Sequence, residues 1–237
     1  MRDKTIVVLG AAGGVGEGIV DELLRAGARV LAVSRTEARL DQLAERLARP
    51  RHLELILGDV SSEEAAAALV QSAKRAAPRL DGVVASIGSW WEGPPLTRTP
   101  LADWNAVLAE RLTSHFLATK YFIPIIVETS PRGFYLSIGG SHAEVAIPSS
   151  GPVSVASAAQ VMLTKVLRAE AGQANVRIQE LIIWTTIATR AHGGKVDPSW
   201  ITPNDVGRHI IALMASEAAA REPVVHLRSR DAVAKLG

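Results

Sequence analysis

The segment Gly10-Ala11-Ala12-Gly13-Gly14-Val15-Gly16 sets four glycines in seven positions, after an apolar run at Thr5–Leu9 and before a stretch of helical period at Gly16–Arg25. Glycine lets the backbone turn sharply and approach a ligand closely, and a helix starting there offers free N–H groups and the positive end of its dipole. That spacing predicts binding of a dinucleotide through its diphosphate. At the end of the next apolar run stand Ser34 and Arg35, with no acidic side chain to bind ribose hydroxyls. An arginine there can pair with a 2′-phosphate, which favours NADP(H) over NAD(H); equally, it can be a solvated residue opening the next helix. Asp59, in Gly58-Asp59-Val60, can accept a hydrogen bond from an adenine amino group or cap the helix that begins near Ser62.

A second set of candidates lies downstream. Ser141 and His142 adjoin in a Gly/Ser/Pro-rich loop. Histidine can serve as acid or base near neutral pH, but a lone loop histidine is more often structural, and sequence neighbours seldom have nucleophile–base geometry. Four of the five tryptophans, Trp90, Trp91, Trp184 and Trp200, fall in loops that follow candidate strands. Their rings can line a pocket for a planar or apolar substrate, fill a cofactor's space, or cover a subunit interface. The absence of cysteine excludes disulfides, thiolate metal sites and a cysteine nucleophile, and no histidine or carboxylate spacing suggests a metal.

Short apolar runs must position these residues. Thr5–Leu9, Arg29–Val33, Leu53–Leu57, Gly82–Ala85, Gly133–Ser137, Arg177–Ile183 and Pro223–Leu227 read as strands. They alternate with helical stretches such as Gly16–Arg25, Glu37–Ala48 and Glu63–Ala76. The strands are apolar nearly throughout rather than alternating, which predicts a doubly wound, mostly parallel seven-stranded α/β sheet with helices on both faces. No composition shift or repeat divides the chain, so residues 1–237 read as one domain. Three long loops, Ile87–Pro100, Gly139–Gly151 and Trp184–Pro203, each follow a strand and are expected to converge on one cleft. A net charge of +2 with scattered arginines gives no footprint for nucleic acid or a membrane surface, and no apolar run suits a signal or a span; a cytoplasmic protein is the expectation.

Taken together these residues resemble the short-chain dehydrogenase/reductase family, whose fold is Rossmann-type. The glycine segment is similar to the family's TGxxxGxG through Gly10, Gly14 and Gly16, with Leu9 where threonine is usual. Asp59-Val60 matches an acidic adenine-contacting position, and Asp81–Gly88 is similar to the segment ending in Asn-Asn-Ala-Gly, of which only Gly88 survives. The resemblance implies hydride transfer between a nicotinamide and a carbonyl or alcohol carbon. It further implies a serine, a tyrosine, a lysine and an asparagine as the catalytic set. Carried over by position, the serine is Ser141, whereas Ser154, Ala158 and Arg111 stand at the tyrosine, lysine and asparagine positions. Independently of that carry-over, no Tyr-x-x-x-Lys exists: four residues beyond Tyr121 and Tyr135 stand Ile125 and Gly139.

A positioned acid or base contributes about 10²–10⁴ in rate, and a serine hydroxyl beside an alanine cannot replace a lysine-activated phenol. Arg111, always charged and donor-only, can face the cleft and bind an anion, or pair at the surface with Glu110 or Glu144. Ile183-Trp184 stands where the family has Pro-Gly. Three functions fit: an NADP-dependent oxidoreductase with a rearranged site using Ser141 and Ser154 or His142; a non-catalytic cofactor-binding sensor or partner subunit; and a non-redox cyclase or lyase. Family members commonly pair through their fourth and fifth helices, so a homodimer or homotetramer is expected, with Val153–Leu167 as a suitable apolar stretch.

Overall fold

In the computed structural model, which describes residues 1–194 and 196–235, seven strands form one sheet. They are β1 (Thr5–Leu9), β2 (Arg29–Ser34), β3 (Leu53–Leu57), β4 (Gly82–Ala85), β5 (Gly133–Gly140), β6 (Val176–Ile183) and β7 (Val224–Leu227). The order is β3-β2-β1-β4-β5-β6-β7 and every pairing is parallel. Apolar side chains pointing both ways explain this arrangement: Ile6 and Val8 enter one core while Val7 and Leu9 enter the other. Each such buried side chain contributes about 1.5–3 kcal/mol.

Helices α1 (Gly16–Arg25), α2 (Glu37–Arg46) and α7 (Pro203–Ala215) cover one face. The other carries α3 (Glu63–Ala76), α4 (Leu101–Leu108), α5 (Ser114–Thr129) and α6 (Gly151–Ala171). The order of strands reverses between β1 and β4, so a crevice opens at their carboxyl ends. Strands β2, β6 and β7 differ from the sequence reading by one residue at one end, and two boundaries differ by more. Strand β5 runs on to Gly140, pairing Gly139 and Gly140 with Ile182 and Ile183, although two glycines read as loop. Helix α2 stops at Arg46 because Ala48 and Arg49 turn to positive φ.

Helices α1 and α7 meet through glycines. A Cβ on Gly18 would fall 2.2 Å from the Pro203 carbonyl carbon, and one on Gly207 would fall 2.8 Å from the Gly18 oxygen. At the opposite end of the sheet Asp81 is 1 % exposed. It accepts from the Thr5 N–H at 3.0 Å, from Lys4 and Ser130 at 3.1 Å each, and from Arg79.

Candidate active site

The first βα turn builds a cradle. Gly10 has φ +75°, and a Cβ there would lie 2.1 Å from the Ser86 carbonyl oxygen. A Cβ on Gly16 would lie 2.2 Å from the Gly10 oxygen, and one on Gly14 would lie 3.1 Å from the Thr189 side chain. The turn therefore admits side chains at neither Gly10 nor Gly16. No described side chain caps α1, whose N-cap is Val15; of its first N–H groups, that of Glu17 bonds the Gly13 carbonyl at 3.2 Å, and the positive end of the helix dipole faces the turn. The cradle opens into a cleft of about 270 Å³ lined by Gly10, Gly13, Ser34, Arg35, Asp59, Val60 and Gly88, and also by Arg39, Ser89 and Glu110. Arg39 was not singled out from the sequence, yet it stands four residues beyond Arg35, in the first turn of α2, on the same cleft. Arg35 is 65 % exposed and 3.7 Å from Glu110. Thr189 and Arg190 close the loop after β6 onto the cradle, Arg190 pairing with Glu17 at 2.6 Å.

Asp59 is a turn residue and not a helix cap. It accepts from the Ser61 N–H and hydroxyl at 2.9 and 2.7 Å, while Ser62 caps α3 by accepting from the Ala65 N–H at 3.1 Å.

Arg111 lies in a widened turn between α4 and α5, Ala109–Thr113, where the Ser114 N–H reaches back to the Ala109 carbonyl in π-helical fashion. Such an extra residue re-aims a side chain, and π turns favour functional sites. The surface pairing expected as one alternative is overturned. Arg111 is 9 % exposed, Glu110 bonds Ser89 at 2.6 Å, and Glu144 bonds His226 at 2.9 Å. Its guanidinium donates to the Ser89 carbonyl at 2.5 Å and lies 3.2 Å from His142 Nε2. Gly88, at φ +98°, packs on the Arg111 stem, so a side chain there would collide with it. Burial first, then the Arg111 charge, push the His142 imidazole down to about 4. The ring is therefore neutral at pH 7.

The inward face of α6 carries Val153, Ala156, Ser157, Gln160 and Thr164, all buried. Ala158 is exposed, so the lysine position carried over from the resemblance points away from the sheet. Ser157, one residue earlier, is fully buried on the inward side, its hydroxyl without a partner. Ser154 is partly buried, and its hydroxyl is also closed off without a partner. Ser141 opens the short turn after β5, its carbonyl accepting from Glu144 and Val145 at 2.9 Å each.

Beneath this helix lies Glu180, fully buried, accepting from Gln160 at 3.1 Å and Thr164 at 3.2 Å. Burial pushes its carboxyl up to about 8, against the Thr164 bond, so it keeps its proton at pH 7. The unfolded chain loses that proton near pH 4.3, so this site lowers stability progressively as pH rises from there to about 8. Glu180→Gln should remove that slope, raising the melting temperature at pH 7.5 more than at pH 5; an equal change at both pH values would refute it.

No tryptophan is among the residues lining the cleft that runs from the glycine cradle, so these rings neither line nor fill it. Trp90 stands edge-on to His142 with ring centroids 5.5 Å apart. Trp91 covers Gly93, Trp200 packs on His192 at 4.8 Å, and Trp184 lies under Arg228 at 4.7 Å and beside His226 of β7. Among the described residues no group of three or more His, Cys, Asp or Glu can hold a metal, and no helix is long and apolar enough to cross a membrane.

Residues 10–229 match the family model described as enoyl-(acyl carrier protein) reductase. The chain is 28% identical over 183 residues to 2,5-dichloro-2,5-cyclohexadiene-1,4-diol dehydrogenase of Sphingobium indicum, covering 77% of this chain and 72% of that one. It is 28% identical over 213 residues to the inactive 2-(S)-hydroxypropyl-CoM dehydrogenase 2 of Xanthobacter autotrophicus, covering 83% and 91%. A short-chain type dehydrogenase/reductase from Mycobacterium ulcerans superposes with a TM-score of 0.85 at 21% identity, covering 96% of this chain and 89% of that one. With its parallel sheet, its glycine cradle and a family match over nearly its whole length, the chain belongs to the short-chain dehydrogenase/reductase family.

Proposed function

We propose that this protein is an NADP(H)-binding oxidoreductase acting on a carbonyl or alcohol carbon of a small molecule through a non-standard site. The observation that carries the reading is the continuity of one cleft from the glycine cradle to Ser34, Arg35 and Arg39. The residues fit the cofactor: the glycine turn leads into the N-terminus of α1 at the cleft, and the guanidinium groups of Arg35 and Arg39 line that cleft and can pair with a 2′-phosphate. Asp59, on the same cleft, is the candidate acceptor for the adenine amino group. When bound, the nicotinamide supplies or accepts hydride. The chain's part is to hold the dinucleotide by its phosphates and to orient the substrate oxygen. With the tyrosine–lysine pair missing, that second task falls to Arg111 and His142, with the Ser141 hydroxyl on the residue before His142; the closed-off Ser154 hydroxyl takes no part.

Replacing Arg35 and Arg39 together by alanine should weaken NADPH binding on the order of 10²-fold, each lost charge-assisted contact contributing about 1.4 kcal/mol or more, and leave NADH unchanged. Fluorescence titration reads both. Equal losses for the two cofactors would remove the case for the phosphorylated one, and no binding of either would turn the reading toward a cyclase, a lyase or a scaffold.

A second reading is a cofactor-binding sensor or partner subunit without turnover. The exposed Ala158 and the absence of any Tyr-x-x-x-Lys favour it. NADPH binding without oxidation over a carbonyl panel would establish it. In either case we propose self-association through α5 and α6. Phe116, Val155, Met162 and Val166 are exposed there, and Val155, Met162 and Val166 form one stripe along α6.

A further inference from the structure

We propose that Arg111 fixes His142 as its Nδ1–H tautomer, so that the ring presents a neutral hydrogen-bond donor to a substrate oxygen that carries or develops negative charge. The substrate half of this inference rests on the oxidoreductase reading; the tautomer half does not.

Arg111 Nη2 lies 3.2 Å from His142 Nε2. A guanidinium has donors only, so Nε2 must offer its lone pair and the ring proton must sit on Nδ1. Nδ1 itself has no partner among the described residues, and it is not closed off from solvent as both nitrogens of His115 are. Ring and arginine are both held. Trp90 packs against the imidazole at an interplanar angle of 74°, and Arg111 is tied to the Ser89 carbonyl.

The ring also occupies the space of a side chain at position 140. A Cβ on Gly140 would lie 2.4 Å from His142 Cε1 and 2.7 Å from Nδ1. Glycine at the end of β5 is thus what lets the imidazole lie over the strand terminus.

The charged and titratable surroundings are few. Arg111 faces the ring from the widened turn, and Trp90 is its neighbour from the loop after β4. Glu144, on the same turn as His142, is engaged with His226. His115, one turn beyond Arg111, is buried and held down to about 4, mainly by burial. Among the described residues no carboxylate is bonded to the imidazole, so none competes for its N–H. A fixed donor in a partly buried site beside a guanidinium stabilises an oxyanion without reorganising, which is where an oxyanion-binding group gains most.

The test is nitrogen NMR of the intact protein labelled with ¹⁵N-histidine, the His142 signals being assigned by their loss in His142→Gln. The expected result is a protonated Nδ1, a bare Nε2 and no titration above about pH 5. Arg111→Met should release the ring, mixing the tautomers and raising the midpoint, while burial keeps it below the ordinary imidazole value. An Nε2–H ring, or a midpoint near the ordinary imidazole value of about 6.5 in the unaltered protein, would overturn the proposal. So would an Arg111→Met variant with both properties unchanged. Because the first measurement needs no variant, a poorly folding Arg111→Met leaves it decisive.

Acetate is the probe for the oxyanion role: it should shift the His142 Nδ1–H signal saturably, and not in Arg111→Met. No shift up to about 0.1 M acetate, or the same shift in both proteins, would overturn that role. Failure to bind NADPH, by contrast, would remove the cofactor reading and leave the tautomer result standing.

Discussion

Gly10→Ala should abolish measurable NADPH binding and destabilise the fold by about 3 kcal/mol or more. Two effects combine at that position. The backbone has φ +75°, which an L side chain rarely adopts, and the new Cβ would lie 2.1 Å from the Ser86 carbonyl oxygen at the end of β4. The neighbour is backbone of the residue directly after β4, held by its N–H to the Leu9 carbonyl at 3.0 Å, so it cannot move aside cheaply. Gly16→Ala should behave similarly, its Cβ meeting the Gly10 oxygen at 2.2 Å. Gly13→Ala is the internal control, with its nearest atom at 3.1 Å, and should retain binding within about tenfold. Thermal unfolding and NADPH titration on the three variants rank them. A Gly10→Ala protein that binds as the parent does would show that the turn is not the diphosphate cradle.

Asp81→Ala should cost about 3 kcal/mol, a fall in melting temperature of roughly 6–12 °C for a chain of this size, with little effect on nucleotide affinity. The aspartate sits at the end of the sheet remote from the cleft, and its loss strands the Thr5 N–H and the buried Ser130 hydroxyl. Lys4 and Arg79 are partly exposed and can turn to water, which keeps the cost toward the lower end for a broken buried pair. Burial alone would raise the Asp81 carboxyl. The Thr5 N–H, Arg79 and Lys4 outweigh it and hold the group below its usual range. Its contribution is therefore complete above the unfolded-state value near pH 3.9 and is lost as pH falls through the lower folded value. Acid unfolding followed by circular dichroism should begin at higher pH in the variant, and superimposable acid transitions would contradict this account.

Much of the fold was legible in the sequence because parallel strands buried on both faces read as unbroken apolar runs. Runs such as Thr5–Leu9 and Gly82–Ala85 appear in the structure with those same bounds. The two glycines ending β5 carry no such signal; their strand conformation follows from pairing with β6. The cradle was legible because its glycines answer to local geometry. The other half of the site was not. On a helix, a one-residue slip in correspondence turns a side chain by about 100°, and that is enough to separate exposed Ala158 from buried Ser157. Glu180 hides within an apolar strand and shows itself only through Gln160 and Thr164, which the fold brings to it. Arg39 had a readable signal, an arginine in the first turn of the helix that follows Arg35, that strand-end reasoning passes over.

The widened turn at Ala109–Thr113 bears on how such a pocket can change its chemistry over time. Helices on either side stay docked on their neighbours, and the surplus residue is absorbed within a single loop of backbone. One small genetic event, the gain or loss of a codon there, would swing a different side chain inward while the scaffold kept its shape. Removing one residue from that segment should therefore rotate the guanidinium out toward water and leave the imidazole opposite it free to titrate.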